Sequence, residues 1–359
     1  MTISAQRILD ALRGAWPAVE LATEPRPLTG GYWATILRLR LTGVPDHVPD
    51  DVVLRVVPHP EMGAKEIAVQ AAVAEAGAPT PIVRLTGPAG GPLGEAWAVM
   101  DLAPGDPLLA GLDGAALRNL PRILARLPAG LADTMSAVHH IDPAPVVRRA
   151  RAVAPTVALT VDELWPHLRA GADLTGRHDL VDALDTLAHQ APPQRDVVLC
   201  HGDLHPFNLL CDGDRINVLD WTAALVAPPA YDVALTRLLL RYPPLAAPPA
   251  MRPIIDAGAR LLARRFVRRY RHANPTADLT DLDWYTGLHA TRVLIDVATW
   301  HNTGDPRANT HPWTLIAPRA ATELTRITGI WLNRPPRQET RLTPTGVDPG
   351  SHGPVVDAR

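Results

Sequence analysis

The sequence predicts an α+β protein of two lobes, a small β-sheet lobe followed by a larger, mainly helical one. Three observations carry this. Residues 33–101 read as a β-β-α-β-β run, four short apolar stretches of strand type around one Ala-rich helical stretch. From residue 115 onward the apolar spacing is helical almost throughout. The chain has 359 residues, 47% of them hydrophobic, enough to supply cores for two such units.

Residues 1–28 open with an amphipathic helix carried by Ile3, Ile8, Leu9 and Leu12 and close on Pro25-Arg26-Pro27. The period then changes to two: Ile36, Arg38 and Arg40 alternate with Leu37, Leu39 and Leu41, a half-buried strand over 33–41. Turn residues Gly43-Val44-Pro45-Asp46 separate it from a second strand over 51–57. Residues 65–76 form a helix that stops at Gly77, with Pro79 and Pro81 behind it. Strands over 82–85 and 96–101 follow. The joint falls at Leu102-Ala103-Pro104-Gly105, giving a nucleotide-binding lobe over 1–103 and a catalytic and acceptor-binding lobe over 104–333. In the second lobe, 115–139, 162–168 and 180–189 read as helices. Residues 197–200 and 216–219 are short strands bracketing a polar loop, and 235–240, 254–270, 284–300 and 315–331 are helical. Residues 334–359, rich in Pro, Gly, Ser and charge, read as a disordered tail.

Composition excludes several classes. The formal net charge is −2, which removes any overall electrostatic reason to bind nucleic acid. Of the 35 basic residues 34 are Arg, and the one Lys, Lys65, lies in Met62-Gly63-Ala64-Lys65-Glu66, so no G-x-x-x-x-G-K-[ST] loop exists and Walker-type ATPases are out. Two cysteines, Cys200 and Cys211, make no disulfide framework, the first residues lack an apolar signal core, and no run of 18 uncharged apolar residues could span a bilayer. A cytoplasmic protein with two buried thiols is expected.

The chemistry concentrates in Cys200-His201-Gly202-Asp203-Leu204-His205-Pro206-Phe207-Asn208, followed by Ile216-Asn217-Val218-Leu219-Asp220-Trp221. One acid stands at a strand end, an amide five residues later, and a second acid at the end of the next strand. Phosphoryl transfer needs that set: a carboxylate to take the proton of an attacking hydroxyl, and an amide and a carboxylate to hold Mg²⁺ on a triphosphate. A loop between two paired strands would keep the three groups together. These residues, with Tyr231-Asp232-Val233-Ala234 downstream, resemble the aminoglycoside phosphotransferase / choline kinase-like family, relatives of the protein kinases, over roughly residues 25–335. The resemblance implies a two-lobed protein-kinase-like fold, with Asp203 as catalytic base, Asn208 and Asp220 as Mg²⁺ ligands, and His201 and Asp232 as braces of the loop.

It also implies a nucleotide site, for ATP or GTP, upstream. Leu28-Thr29-Gly30-Gly31-Tyr32-Trp33 resembles the family's phosphate-covering loop, where Gly30 and Gly31 let backbone N–H groups approach phosphates. Arg55 takes the position of the phosphate-pairing cation, and its planar fork suits phosphate oxygens. Glu66 is the expected acidic partner, with Glu75 and Glu61 as alternatives, and Met100, Asp101 and Leu102 match the linker that meets the adenine. Lys65 has no catalytic task in this reading. The implied activity is transfer of a γ-phosphoryl group to a hydroxyl of a small molecule, with aminoglycosides, macrolides and aminosugars as candidate acceptors. Asp162, Glu163, Trp165, Asp281, Asp283, Trp284, Tyr285, Asp296 and Trp300 are the acids and aromatic rings that would suit a cationic one. Two other readings stand beside it: a catalytically silent nucleotide-binding protein, for which Trp33 and Thr222 leave room, and a peptide or protein kinase, disfavoured because only twelve positions separate Asp220 from Asp232. His139 and His140 are read as packing residues. The Arg264, Arg265, Arg268, Arg269 and Arg271 cluster is read as a solvated helix face.

Overall fold

The computed structural model describes residues 3–28, 34–107, 116–193, 195–213, 215–244 and 248–332. Gly30, Gly31 and Trp33, and the expected tail, lie outside these.

Helix α1 (Ala5–Arg13) is capped by Ser4, whose hydroxyl accepts from the Arg7 N–H, and buries Ile8 and Leu12. Strands β1 (Glu20–Leu21), β2 (Arg26–Pro27), β3 (Thr35–Thr42) and β4 (Asp51–Val57) precede helix α2 (Pro60–Glu75), and β5 (Val83–Gly87) and β6 (Ala96–Asp101) follow it. All pair antiparallel in the order β1-β3-β4-β6-β5, with β2 on β3. The alternation in β3 is the burial pattern observed: Leu37, Leu39 and Leu41 are buried and Arg38 and Arg40 exposed. Strand β4 is covered on both faces. Its Val52, Leu54 and Val56 join α1, Trp97 and Val99 in one core, and Val53 joins Ile67, Ala98 and Met100 in another. Register puts Arg55 opposite Ile36 and Ala98, on this second face.

Helix α2 begins five residues before the expected start. Pro60 occupies its first turn, where a missing N–H costs nothing, and Gly63 lies inside the helix at a point of close approach to the sheet, where a Cβ would come within 2.9 Å of Val57 and 3.0 Å of Ala96.

After β7 (Asp106–Pro107) the chain is mainly helical: α3 (Ala116–His139), α4 (Pro143–Val153), α5 (Val161–Leu174) and α6 (His178–His189). Helix α4 was not expected, although Asp142 caps it and Pro143 opens it. Then come β8 (Val198–Cys200), β9 (Leu209–Asp212), β10 (Arg215–Val218), β11 (Leu225–Ala227), α7 (Ala230–Arg241), α8 (Arg252–Ala273), α9 (Leu282–Thr303), α10 (Arg307–Thr310) and α11 (Trp313–Thr328). The two strands bracketing the polar loop do not pair with each other, as the sequence reading had it. β8 pairs with β11, while β10 pairs with β9 and β9 with β7. Cys200 and Cys211 therefore sit in different sheets; both are free, and only Cys200 is buried. One large core runs through the helices and reaches into α2 through Val69, Ala72 and Val73. No helix among the described residues is long and apolar enough to cross a membrane.

Candidate active site

Strand β8 ends at Cys200, and residues 201–208 leave it as a loop tied down by buried groups. Asp232, at the start of α7, accepts the backbone N–H groups of His201 and Gly202, each at 2.7 Å, and His139 Nε2 approaches the same carboxylate at 3.2 Å. His139 Nδ1 meets the Tyr270 hydroxyl at 2.7 Å, so His139 braces Asp232. Burial works against the Asp232 charge, but these donors outweigh it and hold its pKa below the usual carboxylate value. His201 is fully buried, which keeps its pKa low and the ring neutral. Its Nδ1 accepts from the Asp203 N–H at 3.2 Å, so the proton is on Nε2, which donates to Leu219 O at 3.0 Å. The imidazole thereby ties the loop to the segment bearing Asp220.

Gly202 has φ +76°, and a Cβ there would lie 2.1 Å from the Ala223 carbonyl oxygen. The backbone needs glycine here both for its conformation and for the close approach of the two segments.

Asp203 projects from this loop. Its Oδ2 lies 3.5 Å from His205 Nε2, and its Oδ1 is buried with no hydrogen-bond partner among the described residues. Burial raises the pKa of Asp203, but the His205 and Arg292 charges prevail and leave it below its ordinary value. The group is therefore ionised at neutral pH, the state in which a carboxylate can take a proton. His205 is shifted up by the same contact, against the effect of its burial.

Asn208 donates its amide to the Asp203 carbonyl at 2.9 Å, which leaves the amide oxygen as the atom available to a cation. Asp220 is the sole non-glycine residue with positive φ among the described residues, at 65°. Its Oδ1 accepts from the Thr222 hydroxyl at 2.7 Å and its Oδ2 lies 3.4 Å from Arg55. Burial opposes its charge, but Arg55, Thr222 and His201 keep its pKa low. An amide oxygen and an ionised carboxylate on adjoining segments form a hard-oxygen donor pair, which fits Mg²⁺.

The upstream half meets this site through Arg55. Its Nε is 2.7 Å from Glu66 Oε1 on α2, and both side chains are buried. Glu75 and Glu61 are engaged elsewhere, by Arg149 and Thr156. Burial opposes both charges, yet the carboxylates around Arg55 keep it firmly protonated. Met100 is buried on the Arg55 side of the sheet, and Leu102 packs half-buried beside it with Ile36 and Val83. Asp101 turns its carboxylate to Arg84, at 2.7 and 2.8 Å, so only its backbone is left for a ligand.

The sequence reading gave Thr222 and Lys65 no place in the site and did not name Arg292. The Thr222 hydroxyl, which donates its one proton to Asp220, also lies 2.8 Å from Glu66 Oε2, linking α2 to the Asp220 segment. Lys65 is 3% exposed and its Nζ donates to Thr222 O at 3.1 Å. Arg292, on α9, reaches Gly202 O and the Tyr231 hydroxyl, both at 3.4 Å. The signals were present: a single Lys among 34 Arg, and one charge inside the apolar run Ala290-Thr291-Arg292-Val293-Leu294-Ile295. The acids proposed for a cationic acceptor are mostly spent on arginines. Glu163 is bound by Arg151, Asp281 by Arg195, and Asp283 by Arg237 and Arg326. Trp165 stacks on Trp284, and Tyr285 is buried.

A family model described as the phosphotransferase enzyme family matches residues 26–270. The chain belongs to that family. Solved structures agree on the fold. A protein of Ralstonia eutropha JMP134 assigned to the aminoglycoside phosphotransferases superposes with a TM-score of 0.64 at 15% identity, covering 92% of this chain and 98% of its own. The GDP complex of aminoglycoside 2'-phosphotransferase-IIIa gives 0.56 at 15% identity, covering 91% and 99%. A thermostable mutant of aminoglycoside phosphotransferase APH(4)-Ia, in ternary complex with ADP and hygromycin B, gives 0.55 at 18%, covering 90% and 98%. No curated protein matches the chain. The protein is thus a family phosphotransferase with a kinase-like fold, an N-terminal antiparallel sheet and a mainly helical C-terminal part.

Proposed function

We propose that this protein transfers the γ-phosphoryl group of ATP or GTP to a hydroxyl of a small molecule, with Asp203 as the base. The observation that carries the reading is the meeting of Asp220 with the buried Arg55, 3.4 Å apart and held by Glu66, with the ionised Asp203 near enough to Asp220 for their charges to interact. Asp203 orients the acceptor hydroxyl and takes its proton as the oxygen attacks phosphorus. Arg55 holds phosphate oxygens with the part of its fork that Glu66 does not engage. The apolar face made by Ile36, Met100 and Leu102 receives the base of the nucleotide. Asn208 and Asp220 would hold Mg²⁺, which when bound neutralises charge on the phosphates.

The test is incubation with ATP or GTP, Mg²⁺ and a panel of hydroxyl-bearing acceptors, followed by mass spectrometry. An acceptor should gain the mass of one phosphate. Nucleotide bound with no acceptor modified across a broad panel favours the silent reading instead.

A further inference from the structure

The surroundings of Asp203 bear on which acceptor it serves, and the inference rests on the phosphotransferase reading above. Arg55, Arg84, Arg151, Arg195, Arg237 and Arg307 are buried or partly buried arginines that form ion pairs with carboxylates. Arg292, also partly buried, does not. Among the described residues no carboxylate lies within ion-pair distance of it, not even Asp296 one turn further along α9. Its two hydrogen bonds are long, come from one nitrogen, and end on neutral oxygens, one of them the carbonyl of Gly202 beside Asp203. The residue as a whole is partly exposed.

The guanidinium lies 5.5 Å from the centre of the Trp313 ring, and His311 meets the same ring edge-on at 5.5 Å. His205, 3.5 Å from Asp203, stands 5.9 Å from the ring of Phe207, which is 50% exposed. Asp203 is thus flanked by a permanent cation and half-open aromatic rings, while Glu163, Asp281 and Asp283 are already neutralised by arginines. This is a poor receptor for a polycation and a good one for a flat or apolar molecule with one negative group.

We propose that the acceptor is a hydroxy acid, its carboxylate held by Arg292 and its carbon body lying against Trp313, with its hydroxyl directed to Asp203. In the transfer, the acceptor oxygen bonds to the γ-phosphorus and the bond from that phosphorus to the β,γ-bridging oxygen breaks. The nucleoside diphosphate leaves with that electron pair, and the hydroxyl proton goes to Asp203 and from it to solvent.

The experiment measures ADP release and phosphate incorporation by the full chain with ATP and Mg²⁺. The acceptors are glycerate, gluconate, mandelate and phenyllactate, the primary amide of each, kanamycin and hygromycin B. At least one acid should exceed its amide by about tenfold or more in kcat/KM, the scale of one charge-assisted pair. Arg292→Gln should bring that ratio toward one by raising KM for the acid, and Arg292→Lys, which keeps the charge without the fork, should restore part of it. Equal use of acid and amide, use of kanamycin or hygromycin B in place of the acids, or no acid used while ATP is bound and slowly hydrolysed, would overturn the proposal. A protein that neither binds nor hydrolyses the nucleotide would instead contradict the phosphotransferase reading itself.

Discussion

Arg55 and Glu66 show how residue identity sets both stability and function at this site. Their charges are buried together, and removing one partner leaves the other uncompensated, at a cost of about 3–5 kcal/mol. Arg55→Ala should therefore lower the melting temperature and weaken nucleotide binding at the same time. Adding Glu66→Gln separates the two effects: thermal stability should partly recover, as read by calorimetry, while nucleotide affinity should not. If affinity recovers with stability, Arg55 acts only by packing. Lys65 makes a second prediction at this scale. Burial, with Arg292 close by, pulls its pKa down from 10.5 to about 8. Between those values the unfolded chain holds the proton more firmly than the folded one, so stability rises with pH across the window, by up to about 3 kcal/mol. No other lysine exists to mask it. Denaturant titrations at several pH values should show wild type gaining on Lys65→Met as pH climbs through 8–10; parallel curves would place the ammonium in water.

At the scale of elements, the segments around Asp203 and Asp220 meet backbone on backbone at Gly202 and Ala223, besides the hydrogen bond from Leu219 N–H to Asn208 O. Gly202→Ala meets both a positive φ and a 2.1 Å overlap, so it should push the two segments apart. The expected result is a drop of several degrees in melting temperature with loss of most transfer activity; an unchanged enzyme would mean that this contact is not required. Elements built on local patterns were legible in the sequence. Strands β3, β4 and β6 followed from alternation or a short apolar run closed by turn residues, and most of the helices from their spacing. The pairing of β8 with β11 was not, because the three residues of β11, Leu225–Ala227, are too few to show a period and nothing local names a strand's partner. The early start of α2 was hidden by Gly63, which lies at a close approach to Val57 and Ala96 of the sheet. Of the site, Asp203, Asn208 and Asp220 were legible because five residues of loop and one strand carry them. Arg292 was not, since its nearness to Gly202, ninety residues away in the chain, is created by the packing of α9 against α7.

At the scale of the whole molecule, the sheet part and the helical part are joined by more than the chain between them. Val218 N–H donates to Pro79 O at 2.6 Å, the Thr80 hydroxyl to Val218 O at 2.8 Å, and the buried Trp221 indole to Thr80 at 3.0 Å. Lys65 and Glu66 add two ties from α2 to Thr222, and α2 shares the helical core. Glu66 thereby joins the Asp220 segment, through Thr222, to Arg55. On the proposed function, nucleotide binding is seated in the sheet part and proton transfer on Asp203. The measurement that tests this most directly compares wild type with Asp203→Ala for nucleotide affinity and for transfer to the best acceptor of the panel. Nucleotide affinity within about twofold of wild type, with transfer reduced by about 10²–10⁴, is the predicted result. Transfer at the wild-type rate would remove Asp203 from its role.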